Sequence, residues 1–369
     1  MIFLGAGASK PYGIPTLEEF SKEVITKLKE SHHTEILERI RASCKEFNIK
    51  LDFETLYSIL EGLINPVNSV QHSGPLTAFL VRSKKNLPKG YDYLQILTDL
   101  RKLLYEKCSI ICNEKSFKKV EEYMEKLLLA TKKNHSVESI MGIVGPRDAE
   151  IGKIFVTTNY DMALELYFFS KEIPIIDGYA ESPGLVKHFD PSILWDIHKG
   201  GKHRGIIKLH GSIWQFLRGN EMIKTKLDPK SGSLPFEIQV EREMMIYPTR
   251  EKDILNYQFF PFFSLFKSIT WTKLLVIGYS FRDEPINTAI IENMKINKRS
   301  QIIIISPKPN EVLENLYQNI PENINWKIPK NRLFKFSGEF GTPEVFEYLQ
   351  RIESVSDHQD SDFDPTKFE

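Results

Sequence analysis

The feature that most constrains this chain stands at its start. Ile2-Phe3-Leu4 runs directly into Gly5-Ala6-Gly7-Ala8-Ser9, the signature of a short buried strand feeding a glycine-rich turn. The first element is expected to begin almost at residue 1, with no leader, and the apolar opening is too short and uncharged for a signal peptide. Glycines at such a turn let a backbone approach a pyrophosphate, with amide N–H groups supplying positive potential. The fuller dinucleotide fingerprint is incomplete: Ser9 follows where a third glycine would be sought, and no strand with a terminal acidic residue follows about twenty residues on. An ordinary tight strand–helix turn and a phosphate-binding turn both fit the segment taken alone.

Thr16-Leu17-Glu18-Glu19 fits a capping box and starts a helix over 17–30. Apolar residues then recur at spacings of three and four over 33–47, 53–63, 91–112 and 117–132, punctuated by Pro66, Gly74-Pro75 and Pro88-Lys89-Gly90. Strand patterns return at 153–158, 205–209, 273–277, 301–305 and 333–336, with helices over 160–169, 285–294, 310–318 and 343–351. Runs such as Lys273–Ile277 and Gln301–Ile305 suit parallel strands buried on both faces. Strand, turn and helix in alternation is the grammar of a doubly wound parallel sheet. The fold class is therefore α/β, Rossmann-like, with an inserted helical lobe. The expected division is a core of 1–32 and 151–352, a lobe of 33–150, and a Ser- and Asp-rich disordered tail of 353–369.

Composition removes several classes of function. The 369 residues, 41% of them hydrophobic, allow a large core or two lobes. Lys plus Arg and Asp plus Glu are each 49, so no net field draws the molecule to nucleic acid or to an anionic membrane. The basic pairs Lys84-Lys85 and Lys132-Lys133 lack aromatic interleaving and read as solvated helix ends. No apolar run reaches the roughly 18 residues of a membrane span. Cys44, Cys108 and Cys112 cannot form a disulfide framework or a four-thiolate zinc site. Cys108 and Cys112 share a helical face and read as packing, and the chain reads as cytoplasmic. No P-loop occurs. The aromatic stretch 257–263 fits a helix buried against the sheet, or an oligomer surface.

Four further motifs fall at strand ends, where open parallel sheets bind ligands. Thr157-Thr158-Asn159-Tyr160-Asp161 offers the polar cluster a ribose requires, and Asn159 can donate and accept at once. Asp161 fits a helix cap as well as it fits a ligand contact. Lys208-Leu209-His210-Gly211-Ser212 places a histidine suited to proton transfer near neutral pH beside a glycine that permits close backbone approach. Gly278-Tyr279-Ser280-Phe281-Arg282-Asp283, followed by Ile286-Asn287, and the strand ending in Ser306 supply further donors.

Taken with Gly13-Ile14-Pro15-Thr16, the opening Gly-Ala-Gly-Ala-Ser resembles the nucleotide-binding start of sirtuins. The Thr-Asn-Tyr-Asp, Leu-His-Gly-Ser and Ile-Gly-Tyr-Ser-Phe-x-Asp elements, with Phe53-Glu54, resemble the bacterial sirtuin-like branch associated with antiphage defence. That resemblance implies NAD⁺ as substrate without a metal, Asn159 and His210 as catalytic residues, and a cofactor-binding set. This set comprises Gly5, Ala6, Gly7, Ser9, Pro15, Thr16, Thr158, Asp161, Gly278, Ser280, Phe281, Asp283, Asn287 and Ser306. It also implies a homo-oligomer and a separate partner subunit, a HerA-type ATPase or an Argonaute-like protein. Classical sirtuins carry a zinc module of paired cysteines, and no cysteine lies beyond Asn159. This departure points from protein deacylation toward NAD⁺ hydrolysis, the alternative being a module that senses NAD⁺ or ADP-ribose and controls a partner.

Overall fold

The computed structural model describes residues 1–29, 33–64, 92–131, 153–181, 186–199, 203–225, 242–245, 259–321, 324 and 326–355. The chain divides into two compact units: Met1–Ile14 with Ile111–Met245 and Ile254–Glu369, and Pro15–Ile110 with Ile246–Asp253. Lys84-Lys85, Lys132-Lys133, Tyr257-Gln258 and the tail beyond 355 lie outside the described residues.

The first unit is built on a parallel sheet. Strand β1 (Ile2–Leu4) is central, with β2 (Ile154–Thr157), β6 (Arg204–Lys208) and the two-residue β3 (Ile175–Ile176) following outward on one side. On the other side lie β10 (Lys273–Ile277), β11 (Gln301–Ser306) and β12 (Leu333–Ser337). Every pairing is parallel, with Phe3 opposite both Val156 and Val276. Burial on both faces explains the unbroken apolar runs: Ile302–Ile305 are all buried, as are Leu274–Ile277. The chain builds outward from β1 to β6, then returns to β10 on the opposite flank. That reversal makes a topological switch point beside β1, where the carboxyl ends of the strands open a crevice.

A second sheet was not read from the sequence. β4 (Tyr179–Ala180), β5 (Val186–Phe189), β7 (Gly211–Arg218), β8 (Glu221–Thr225) and β9 (Arg242–Met245) form an antiparallel sheet in the order β4-β5-β8-β7-β9. Its hairpin signal was present: Gly219-Asn220 lies between Ile213–Leu217 and Met222–Thr225. Phe266 of the helix Phe260–Ser268 lies 6.0 Å from Phe3 of β1, and Phe262 lies 5.1 Å from Phe189 of β5. The helix Phe260–Ser268 therefore touches a strand of each sheet, although its Phe260 is 53% exposed.

Four helices make the described part of the second unit: Leu17–Lys29, Thr34–Glu46, Phe53–Ile64 and Tyr93–Cys108. The capping box forms as expected. The Thr16 N–H donates to Glu19 Oε2 at 2.9 Å, and the Glu19 N–H donates to Thr16 Oγ1 at 3.4 Å. Phe20 meets Phe53 edge to face at 4.8 Å, and Ser21 Oγ accepts the Phe53 N–H at 3.0 Å, locking the first and third of these helices together. The unit boundaries fall elsewhere than at 32 and 150. The helix starting at Leu17 groups with the helical unit, and the helix Glu114–Ala130 groups with the sheet. Amphipathic spacing shows that a helix buries one face and is silent about which neighbour covers it. Among the described residues, no helix is long and apolar enough to cross a membrane.

Candidate active site

The turn after β1 and the turn after β10 are packed backbone on backbone. The Gly5 N–H donates to Ile277 O at 2.9 Å, and the Gly7 N–H donates to Gly278 O at 3.0 Å. A Cβ on Gly278 would stand 2.4 Å from Ala8 N and 2.5 Å from the Gly7 carbonyl carbon, and its φ of +63° is itself unfavourable to other residues. These glycines therefore serve the contact between the two turns, a reason the sequence could not supply. The outer rim is left to Ala6, which is exposed, and Gly7, which is half-buried. The helix behind this turn is a single turn, Ala6–Ser9, followed by the 3₁₀ turn Lys10–Tyr12.

Asn159 is the hub of the polar cluster. Its Nδ2 donates to Gly5 O and to Ser9 Oγ, both at 2.9 Å. Its N–H donates to Thr157 Oγ1 at 3.0 Å, and that hydroxyl donates to Leu4 O at 2.8 Å. Both side-chain N–H groups are thus committed, leaving the amide oxygen as the atom available to accept from a ligand. Ser9 Oγ donates to Asp161 Oδ2 at 2.7 Å, while Asp161 Oδ1 accepts the Ala163 N–H at 3.0 Å. Asp161 is 5% exposed, and its bond from the Ala163 N–H lies at the start of the helix Ala163–Ser170. Tyr12, Met124 and Lys208 share a small recess with Ser9, Asn159 and Asp161. Burial, reinforced by the Asp161 charge, raises the Tyr12 hydroxyl far above its ordinary range, so it stays protonated. Thr158 is half-buried beside this cluster.

His210 stands one strand over. Leu209 continues the ladder by donating its N–H to Thr157 O at 2.9 Å, which sets Asn159 and His210 at corresponding positions past β2 and β6. His210 is 3% exposed, with Nε2 3.7 Å from Asp283 Oδ1 and its ring 6.5 Å from that of Tyr160. Gly211, at φ +75°, is required by the protein itself, since a Cβ there would stand 2.0 Å from Met244 O of β9. Ser212 is fully buried, and its hydroxyl donates to Tyr160 O at 3.2 Å, tying the His-Gly-Ser segment to the Asn159 loop.

The turn after β10 is held by asparagines. Phe281 is buried at φ +53°, a strained conformation for a bulky side chain. Asn287 Nδ2 donates to Phe281 O at 2.9 Å and to Asn319 O at 3.0 Å, and Asn315 Nδ2 donates to Ser280 O at 3.1 Å. Asn287 and Phe281 are both fully buried and support the turn, whereas Ser280 is half-buried on it. Tyr279 Oη donates to Asp283 Oδ2 at 3.1 Å, and burial, with the Asp283 charge, keeps the phenol protonated. Ser306 ends β11, 7% exposed, with Oγ accepting the Lys308 N–H at 3.2 Å. Pro15 and Thr16 belong to the helical unit.

Three charged residues escaped the sequence reading, and a fourth, Lys208, stood in its motif without a role. Glu165, Lys208, Lys224 and Asp177 are all buried. Lys208 Nζ donates to the Asp161 carbonyl and lies 3.3 Å from Glu165 Oε1; Lys224 Nζ lies 3.4 Å from the same oxygen and 2.6 Å from Asp177 Oδ2. Burial raises the Glu165 carboxyl, but the two lysine charges outweigh it and hold the group below its ordinary value. The available signal was a lone Glu165 inside the apolar run 163–168, and a lysine ending a strand that is otherwise core. Among the described residues, no group of three His, Cys, Asp or Glu side chains is placed to hold a metal ion.

Comparisons with known proteins find similarity to one family. Among solved structures, the chain is similar to a Sir2 homologue in complex with NAD, at 13% identity over 96% of this chain and 89% of that one, with a TM-score of 0.40. It is similar to a mutant Sir2 homologue in complex with 2′-O-acetyl ADP-ribose, at 12% identity over 96% and 91%, with a TM-score of 0.38. No curated protein sequence matches. Residues 153–327 match the protein-family model for the SIR2-like domain. That span holds Asn159, His210, Gly278 and Ser306, so these strand-end residues fall within the part of the chain that is similar to the SIR2-like domain.

Proposed function

We propose that the protein hydrolyses NAD⁺ at the nicotinamide ribose, giving nicotinamide and ADP-ribose. The observation that carries this reading is the placement of Asn159 and His210 at corresponding positions past two adjacent strands, within a SIR2-like domain and beside the switch-point turns. Asn159 brings a single acceptor oxygen to that place because its N–H groups are spent on Gly5 and Ser9. Nicotinamide leaves a cationic pyridinium as a neutral molecule, so the bond from C1′ to its ring nitrogen breaks through an oxocarbenium-like state. In this mechanism Asn159 accepts from the attacking water or a ribose hydroxyl and orients it. The water oxygen bonds to C1′, and its proton passes to His210. Ala6, Gly7, Thr158, Gly278, Ser280 and Ser306 hold the dinucleotide. Gly5, Ser9, Asp161, Phe281, Asp283 and Asn287 shape the turns that receive it, and Pro15 and Thr16 join the set by resemblance alone.

A cysteine-free span beyond Asn159 supports hydrolysis over deacylation, because the paired-cysteine zinc module of deacylating sirtuins has no counterpart there. The finer expectations rest on motif resemblance: a cytoplasmic, oligomeric effector of bacterial antiphage defence that depletes NAD⁺ beside a HerA-type ATPase or Argonaute-like subunit. Purified protein incubated with NAD⁺, alone and with the protein encoded beside it, tests the reaction by chromatography of the products. Nicotinamide and ADP-ribose should appear, and Asn159→Ala and His210→Ala should each lower turnover by about 100-fold or more while staying folded. Near-normal turnover in both folded variants refutes the assignment, and NAD⁺ bound without cleavage in either condition favours the sensing module.

A further inference from the structure

Lys208 occupies a position that neither the proposed chemistry nor the family match explains. It is the last residue of β6, two residues before His210, and is 2% exposed. A buried lysine is retained only where its charge and its three donors are met. Here they are met by the Asp161 carbonyl and by both oxygens of Glu165, at 3.3 and 3.4 Å. Glu165 in turn meets Lys224 of β8, which also pairs with Asp177 at 2.6 Å, so two cations and two anions balance inside the core. The Asp161 carbonyl belongs to the residue whose carboxylate takes the Ser9 hydroxyl, and Ser9 takes the Asn159 amide. Hydrogen bonds joined through the covalent frame of Asp161 therefore connect Lys208 to the amide of Asn159.

We propose that Lys208 is a positioning residue, and that its ammonium, by holding the Asp161 carbonyl, sets the Asn159 amide for the reaction. The consequence rests on the hydrolase reading; the positioning itself does not. Without the ammonium, the Asp161 carbonyl loses its buried donor, and the loop 158–162 can shift relative to Ser9. A shift of that kind alters the direction of the Asn159 oxygen more than it alters the surface that holds the dinucleotide. The expected signature is therefore a fall in kcat with KM nearly unchanged.

The decisive variant is Lys208→Met combined with Glu165→Gln, which removes one cation and one anion and leaves Lys224 with Asp177. Neutral replacement of a buried pair is commonly tolerated. Two readouts are taken on the full chain. One is NAD⁺ turnover. The other is solvent exchange of the Asn159 side-chain amide in protein labelled with ¹⁵N-asparagine, its resonances identified by their loss in Asn159→Ala. The folded double variant should lower kcat about 100-fold, with KM within about threefold, and its Asn159 amide should lose protection from exchange. Unchanged protection, or kcat within about threefold of wild type, overturns the proposal. If the double variant does not fold, Lys208→Met alone decides on the same two readouts, with the same results expected and refuting. If wild-type protein does not cleave NAD⁺ but the Asn159 amide loses protection in the variant, the hydrolase reading falls and the positioning role stands.

Discussion

Replacing Gly278 by alanine isolates what the contact between the two switch-point turns contributes. The left-handed φ of +63° imposes about 1–2 kcal/mol on any residue with a Cβ. The new atom would also lie 2.4 to 2.6 Å from three backbone atoms of Gly7 and Ala8. Backbone cannot rotate away as a side-chain tip can, so the turns must part. That movement breaks the bond from the Gly7 N–H to Gly278 O, worth about 1 kcal/mol. The sum is about 2–3 kcal/mol, or roughly 4–12 °C in Tm for a unit of this size. Gly219 supplies the control: its φ is +61°, yet a Cβ there would meet nothing within 4 Å. Gly219→Ala should therefore cost only the dihedral part, about 1–2 kcal/mol. Both proteins would be melted by calorimetry in parallel, and NAD⁺ affinity measured on each by titration. Gly278→Ala should lose affinity and Gly219→Ala should keep it. Equal shifts in Tm for the two variants would refute the claim that the close approach of the turns, and not the dihedral alone, requires the glycine.

Two further outcomes follow from the same physical reasoning. Thr16→Ala removes the acceptor for the Glu19 N–H and half of the capping box, and should cost about 1 kcal/mol by denaturant unfolding; a change below about 0.3 kcal/mol would mean the helix start is held by packing instead. Glu165 is held below the ordinary carboxylate value, so its contribution is present in full above that value and is lost as pH falls through the lower, folded one. The unfolding midpoint should drop as pH falls below the ordinary carboxylate range, and less steeply in the Lys208→Met, Glu165→Gln protein; parallel profiles would remove Glu165 as the cause.

Much of the scaffold was legible because its signals are local. A continuous apolar run such as Gln301–Ile305 can be buried on both faces only in a parallel sheet covered by helices, and the strand it foretold spans Gln301–Ser306. The glycine-rich turn after Ile2–Leu4 and the capping box at Thr16 are likewise contained in a few consecutive residues. The antiparallel sheet was missed because most of its strands are short and its longest is buried on both faces. β7 is buried from Gly211 to Leu217, which erases the alternation that marks a half-exposed strand.

The sequence by itself determined which chemistry-bearing residues stand at strand ends, since strand, turn and polar motif are contiguous in the chain. It also determined that Asn159 and His210 would be neighbours if β2 and β6 were. Tertiary structure alone decided what those residues do with their hydrogen bonds. Asn159 spends its donors on Gly5 and Ser9, more than 149 residues away in sequence, and Gly211 and Gly278 answer to backbone brought from β9 and from the first turn. The buried set of Glu165, Lys208, Lys224 and Asp177 comes from a helix, two strands and a loop. No local pattern encodes such a balance of charge, because the energy of each member depends on the other three being present in the same low-dielectric space.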